Sequence, residues 1–202
     1  KDVVEDYDGK TYAAGTATAT DSNDNPVVVE YRVQGSEGEW TTDPGTITAT
    51  NVTDSVTVEV RASVPGVYEG YTETATQQLT INPREVVVYD EKTVEYTGQA
   101  QQLVIGQGDE GMYSESWTLP EGQELEVSAS ITGTAVNAAG YTALDEGASW
   151  NVAGGDNANY DVTITGKLVI TTNDDIDAFV RVVPKDVVED YDGKTYAAGT
   201  AT

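Results

Sequence analysis

The sequence has no cysteine and no histidine, a single phenylalanine among 202 residues, and only 10 basic side chains against 35 acidic ones. Each shortage excludes something. Without histidine or cysteine there is no Ser-His-Asp triad, no thiol nucleophile and no ordinary zinc centre. Without cysteine no disulfide can hold a small fold together, so an apolar core must do so unaided. A net charge of −25 repels phosphate backbones and anionic lipid surfaces, which sets nucleic-acid binding and membrane association aside. No apolar run approaches the ~20 residues needed to span a bilayer, so no direct membrane insertion is expected.

What the sequence does have is repetition. Residues 1–18 read KDVVEDYDGKTYAAGTAT, and residues 185–202 read the same. No fold dictates every surface residue, so the 184-residue offset between the copies marks the period of a tandem array. The chain is therefore expected to be one period plus the opening of the next, cut from a longer protein. A weaker repeat lies inside the period. Tyr7-Asp8-Gly9 matches Tyr96-Thr97-Gly98, Tyr71 matches Tyr160, and Leu79-Thr80-Ile81 matches Leu168-Val169-Ile170, all at an offset of 89. Two related domains follow, 1–83 and 84–173, then an acidic linker over 174–184 and the start of the next repeat at 185–202. Pro83 and Pro184 stand just before the openings, where a residue lacking an N–H suits a linker or the first position of a strand.

The hydrophobic period is two. Val56, Val58, Val60 and Ala62 alternate with Thr57, Glu59 and Arg61. Val27, Val29, Tyr31 and Val33 alternate with Glu30, Arg32 and Gln34. Leu125, Val127, Ala129 and Ile131 alternate with Glu124, Glu126, Ser128 and Ser130, and Val162 and Ile164 with Thr163 and Thr165. Such alternation marks strands with one buried and one wet face. Turn clusters separate them, among them Asp21–Pro26, Pro65-Gly66, Pro120-Glu121-Gly122 and Gly154-Gly155-Asp156. The expected fold is all-β, with two tandem small antiparallel β-sandwich domains, immunoglobulin-like, per 184-residue repeat. A β-grasp domain is the alternative, and the helix it requires is not evident.

Several motifs invite chemistry. Gly106-Gln107-Gly108-Asp109-Glu110-Gly111 spells a dinucleotide-binding G-x-G-x-x-G, but no helix pattern follows and two acids would face the phosphates, so it reads as a loop. Asp21-Ser22-Asn23-Asp24-Asn25-Pro26 packs oxygen ligands densely, as hard cations require. Two readings stand. One is a hairpin turn, because Asn and Asp tolerate positive φ and bond their own backbone. The other is a calcium site formed by Asp21, Asn23, Asp24 and Asn25; the string resembles the D-x-N-D-N linker motif of cadherins, although it falls inside a domain and the companion acidic motifs are missing. Asp174, Asp175 and Asp177 divide likewise between a solvated linker and an ion-stiffened joint.

Lys10, Lys92 and Lys167, with Asn151 or Asn157 as amide partners, are candidates for the intramolecular cross-links of some Gram-positive surface domains, against the plainer reading of solvated lysines. Trp40, Trp117 and Trp150 could form a sugar-stacking platform or fill a core nearly devoid of Phe. Asn51-Val52-Thr53 matches a glycosylation sequon. Nothing marks two of the 35 acids as a catalytic pair.

The opening Val4-Glu5-Asp6-Tyr7-Asp8-Gly9-Lys10 resembles the YDG signature of repeats in large bacterial surface proteins. Val94-Glu95-Tyr96-Thr97-Gly98-Gln99, Leu119-Pro120-Glu121-Gly122-Gln123, Gly133 to Tyr141, Asn159-Tyr160-Asp161-Val162 and Gly166-Lys167-Leu168-Val169-Ile170 resemble, in order, the pattern of MBG-type adhesin repeats, with Ala139 as a small departure. The resemblance implies a secreted, envelope-attached, non-enzymatic adhesin whose repeats act as a stalk that projects a distal binding domain. The alternative is that each repeat is itself a weak, multivalent module for host mucin glycans or glycoproteins. No cofactor is expected beyond calcium under the second reading of the Asp21 turn. A monomer is expected, with neighbouring repeats of the same chain as its contacts. Residues 185–202, the orphan opening of a domain, are expected to be frayed or paired with a neighbouring chain.

Overall fold

A computed structural model describes residues 1–106, 118–178, 180–191 and 193–198. The alternating segments are strands. Before Pro83 these are β1 (Val3–Asp6), β2 (Tyr12–Ala13), β3 (Val28–Val33), β4 (Thr48–Ala49), β5 (Val56–Ser63) and β6 (Ala75–Asn82). After it come β7 (Arg84–Glu95), β8 (Gln101–Ile105), β9 (Glu124–Gly133), β10 (Asn137–Tyr141), β11 (Ser149–Ala153) and β12 (Tyr160–Thr171). Among the described residues the only helical pieces are four short 3-10 turns, at Pro44–Thr46, Val52–Asp54, Asn157–Asn159 and Ile176–Ala178. The β-grasp alternative therefore has no helix to build on there.

The fold is all-β and sandwich-like. β1-β6-β5-β3 form one sheet, with the short β2-β4 pair beside it. Beyond Pro83, β10-β12-β7 form a sheet that packs through β12 and β7 onto the sheet β11-β9-β8. No pairing between these strands crosses Pro83. The inward residues are those the alternation selects: Val58 and Val60 on β5, Leu125, Ala129 and Ile131 on β9, Leu168 and Ile170 on β12. Leu79, Ile81, Ile105, Ile131, Leu168 and Ile170 are almost completely shielded from solvent. Each such side chain contributes about 2–3 kcal/mol by burial, which stands in for the missing disulfides.

Sequence alternation carries no information about strand direction, and there the structure adds something. Most neighbours pair antiparallel, but the opening and closing strands on each side of Pro83 pair parallel. β1 runs alongside β6 with Val3 opposite Leu79 and Glu5 opposite Ile81. β7 runs alongside β12 with Lys92 opposite Leu168 and Val94 opposite Ile170, the same register shifted by 89 residues. The hydrogen bond that ends each ladder is shifted identically, Tyr7 N–H to Asn82 O and Tyr96 N–H to Thr171 O, both 3.0 Å. Parallel neighbours need a crossover connection. Here the chain leaves the first strand, builds the rest of the sandwich and returns in the last.

Candidate functional site

The most elaborated polar arrangement lies where the two groups of strands meet. β6 ends at Asn82 and β7 begins at Arg84, so Pro83 alone separates them. The Tyr7 ring, buried just past β1, meets Tyr160 at the head of β12 edge to face, with centroids 5.3 Å apart and planes at 77°. Gln123 bridges the pair: its Nε2 donates to the Tyr7 hydroxyl at 2.9 Å, and its Oε1 accepts from the Tyr160 hydroxyl. Burial, reinforced by Tyr7, pushes the Tyr160 phenol well above its ordinary range.

Alongside, the 3-10 turn over Asn157–Asn159 presents Asn159, which is 1% exposed. Its Oδ1 accepts from the Val52 N–H and its Nδ2 donates to Asn51 Oδ1, both at 2.9 Å. Asn51 is held in turn by Asp54, whose Oδ2 accepts from the Asn51 N–H and side-chain amide. These backbone and amide donors hold the Asp54 carboxyl below its usual range. Gly9, at φ +79°, completes the joint. A Cβ there would stand 2.8 Å from the Pro120 ring, so only glycine fits. An open cleft of about 540 Å³ lies at the same joint, lined by Asp6, Asn82, Pro83, Arg84, Glu85 and Asp161.

Asp21, Asn23, Asp24 and Asn25 do sit together, but the donors around Asp21 are amides. Its Oδ2 accepts from Asn25 Nδ2 at 2.7 Å, from the Asn23 N–H at 3.1 Å and from the Asn25 N–H at 3.4 Å. The Asn25 side-chain bond is the largest cause that lowers the Asp21 carboxyl. Asn23 Nδ2 points at the Tyr68 hydroxyl, and Asp24 adopts φ 57°. This is the local geometry of an Asx-rich turn. Among the described residues no three His, Cys, Asp or Glu side chains converge on a point that could hold a metal ion. In the 173–177 stretch, Asn173 Nδ2 donates to Tyr96 O and Asn173 Oδ1 accepts from the Asp175 N–H, while Asp174, Asp175 and Asp177 are exposed.

A second cluster covers the outer face of β3 and β5. Glu30 lies opposite Arg61, and Arg32 opposite Glu59. Arg61 Nε pairs with Glu30 at 2.9 Å, and Arg32 Nη2 with Glu59 at 2.7 Å. Trp40 folds over them, with guanidinium carbons 4.0 Å (Arg61) and 4.6 Å (Arg32) from its ring centroid, and Tyr71 lies 3.5 Å from Arg61. Trp40 is thus engaged by cations rather than presented as an open stacking face. Trp150 packs against the core from β11. Trp117 lies outside the described residues, as do positions 107–111 of the glycine motif.

Each candidate lysine has another partner: Lys10 bonds Asp8, Lys92 donates to Gln102 O, and Lys167 lies 3.7 Å from Glu91. Asn151 donates to Glu126, and Asn157 accepts from the Val152 N–H. The sequon residue Asn51 is occupied at the joint. The paired Tyr71 and Tyr160 of the internal repeat differ in role: Tyr71 is 54% exposed, Tyr160 5%. The meeting of Asn159, Asn51 and Gln123 at the joint had no local signal, since their partners across it lie more than 30 residues away. The only hint was that Tyr7, Gln123 and Asn159-Tyr160 all belong to the short motifs quoted above.

No helix among the described residues is long and apolar enough to cross a membrane. The chain matches no protein family and no curated protein. Among solved structures it is similar to the crystal structure of Drosophila N-cadherin EC1-4, at 10% identity and a TM-score of 0.32, with 84% of this chain and 47% of that chain covered. The chain thus spans about half the length of that structure. A TM-score so low aligns strands without fixing a shared topology, and nothing about this chain follows from it.

Proposed function

We propose that this chain is a non-catalytic spacer repeat of an extracellular bacterial adhesin of the MBG/YDG type, one link in a stalk that holds a distal binding domain away from the cell. The observation that supports it is the joint at Pro83. A single residue separates β6 from β7, and the Tyr7–Gln123–Tyr160 and Asn51–Asn159 contacts tie the strand groups on either side. A spacer needs links that resist folding back on one another, and a dense like charge on every link adds mutual repulsion within a Debye length of ~8 Å.

One further observation favours a second reading, in which each period binds weakly. Tyr68 and Tyr71, about half exposed, line a cleft of about 310 Å³ together with Ala19, Thr20 and Val27. Aromatic edges of that kind suit a glycan, and repetition would multiply weak contacts.

Chains of one, two and four periods distinguish the readings. For a spacer, the maximum dimension from small-angle X-ray scattering grows by a constant increment per period, and retention on mucin or glycan arrays is flat with repeat number. Retention that climbs steeply with repeat number would overturn it. Repeating the binding in calcium and in chelator tests whether an ion at the Asp21 turn takes part.

A further inference from the structure

Val67, Tyr68 and Tyr71, on the loop that joins β5 to β6, are each about half exposed. The loop that carries them is nevertheless pinned. The Val67 and Tyr68 N–H groups donate to Val64 O, both at 3.1 Å, and the Thr72 N–H donates to Ala62 O at 2.9 Å. Thr72 Oγ1 accepts in return from the Ala62 N–H at 3.0 Å, and Asn23 Nδ2, from the Asp21 turn, donates to the Tyr68 hydroxyl at 3.1 Å. Tyr68 and Tyr71 are thereby held beside a cleft of about 310 Å³ that is built wholly from the internal stretches 19–27 and 62–72.

Ala19, Val27, Ala62 and Val64 give the cleft apolar walls, and its charged lining residues, Asp21 and Glu69, are both acidic. Asp21 is fixed by the amides of its own turn, and the Asn25 side chain foremost among them holds its carboxyl below the usual range. Glu69 is exposed, and among the described residues its carboxylate has no hydrogen-bond or ion-pair partner. We propose that this cleft takes the guanidinium side chain of an arginine in a basic segment of a partner protein. The inference deepens the reading in which each period binds weakly, and it rests on that reading.

The chain already shows how it holds such a group. Arg61 lies 3.5 Å from the Tyr71 ring centroid and 4.0 Å from that of Trp40, with Glu30 at 2.9 Å from its Nε. Rings and a carboxylate together thus hold one guanidinium on the outer face of β5. The cleft sets Tyr68 and Tyr71 beside Asp21 and Glu69, with no basic residue in its lining. A guanidinium uses both components, since aromatic rings attract it and carboxylates accept its hydrogen bonds. A neutral sugar would use the rings and leave the carboxylates unmatched, and a sialylated or sulfated sugar would be repelled. The volume lies at the foot of the roughly 300–1,000 Å³ of ligand pockets, which suits a side chain or two better than an oligosaccharide. At a net charge of −25 the whole chain draws a basic segment in, and the cleft fixes where it docks. One solvent-exposed contact of this kind is weak, and repetition along an array multiplies it.

Titration of the isotope-labelled full chain with hexaarginine at low salt, followed by NMR, tests this. The Glu69, Gly70 and Tyr71 amides are expected to shift. Hexalysine, of equal charge, is expected to bind several-fold more weakly, because an ammonium has no planar surface to lay on a ring. Glu69→Gln should weaken hexaarginine several-fold. Asp174→Asn, which removes the same charge from an exposed position beyond β12, should leave the affinity nearly unchanged. Tyr68→Leu, at a half-exposed position, should keep the Tm and lower the hexaarginine affinity toward that of hexalysine. Equal weakening by Glu69→Gln and Asp174→Asn, or equal affinity for the two peptides, would mean that only net charge is read and would overturn the inference. A trimer of N-acetylglucosamine that shifts the three amides where hexaarginine does not would also overturn it, with the weak-binding reading left standing. If no probe shifts them and four-period chains are retained on mucin or glycan arrays no better than one-period chains, both fail.

Discussion

The edge of one tyrosine ring, Tyr7 or Tyr160, points at the face of the other across the seam at Pro83, and Gln123 ties their hydroxyls together. The geometry serves both polar and apolar demands at once. The offset perpendicular contact is favoured by the ring quadrupoles, and neither hydroxyl is buried without a partner.

That pairing sets an alkaline limit on stability. The folded state holds the Tyr160 phenol above its ordinary value, chiefly by burial, so the neutral form is the one the fold favours. The stabilisation is complete below the unfolded phenol value of about 10 and is lost as pH rises from there toward the folded value. Absorbance titration at 295 nm should show a phenol phase that appears only at the onset of unfolding, and Tyr160→Phe should reduce its amplitude.

Asn159→Ala should cost about 1–3 kcal/mol, because it removes the buried side chain that partners the Val52 N–H and Asn51 Oδ1. Chemical denaturation measures the loss. Asn159→Asp should also destabilise, since a carboxylate cannot donate to Asn51 Oδ1.

Arg61→Lys should loosen the face of β3 and β5 although it keeps the charge. A lysine ammonium offers no planar surface to fill the gap between Trp40 and Tyr71. The expected loss is about 1 kcal/mol, accompanied by a red shift in Trp40 emission as water reaches the ring.

Gly9 and Gly193 share a φ of +79° and the same neighbours in sequence. Gly9 stands against Pro120, whereas nothing lies within 4 Å of a Cβ at Gly193. Gly9→Ala should therefore lower Tm clearly. Gly193→Ala, which meets only the local φ penalty in an exposed segment, should leave Tm near that of the unaltered chain. Differential scanning calorimetry of the two variants side by side decides it.

The strands were legible because burial and period coincide in them. Val58, Val60 and Ala62 point inward as their alternation requires, and so do Leu125, Ala129 and Ile131. The offset of 89 was legible as well: of its three weak matches, Tyr7 with Tyr96 and Leu79–Ile81 with Leu168–Ile170 reappear as a shared strand register, while Tyr71 with Tyr160 does not. Strand direction was not, since a period of two is the same read either way. The joint was not legible either. Asn51 looked like a sequon and Asn159 like one residue of a repeat motif, and only their meeting across more than 100 residues gives them a role. The Arg61–Trp40 stack needed the register of β3 on β5 before its charges could be paired.

The parallel pairing of first and last strands has a mechanical consequence. In the unit from Arg84 to Thr171 the chain begins at one end of the β7–β12 ladder and ends at the other, with twelve residues matched along it. Tension applied through the chain slides these two strands past one another, so the ladder bonds are loaded together in shear instead of being peeled open singly. The force that breaks such a unit is governed by its unfolding barrier rather than by its equilibrium stability. A chain without a single disulfide can thus still carry a pull along its length.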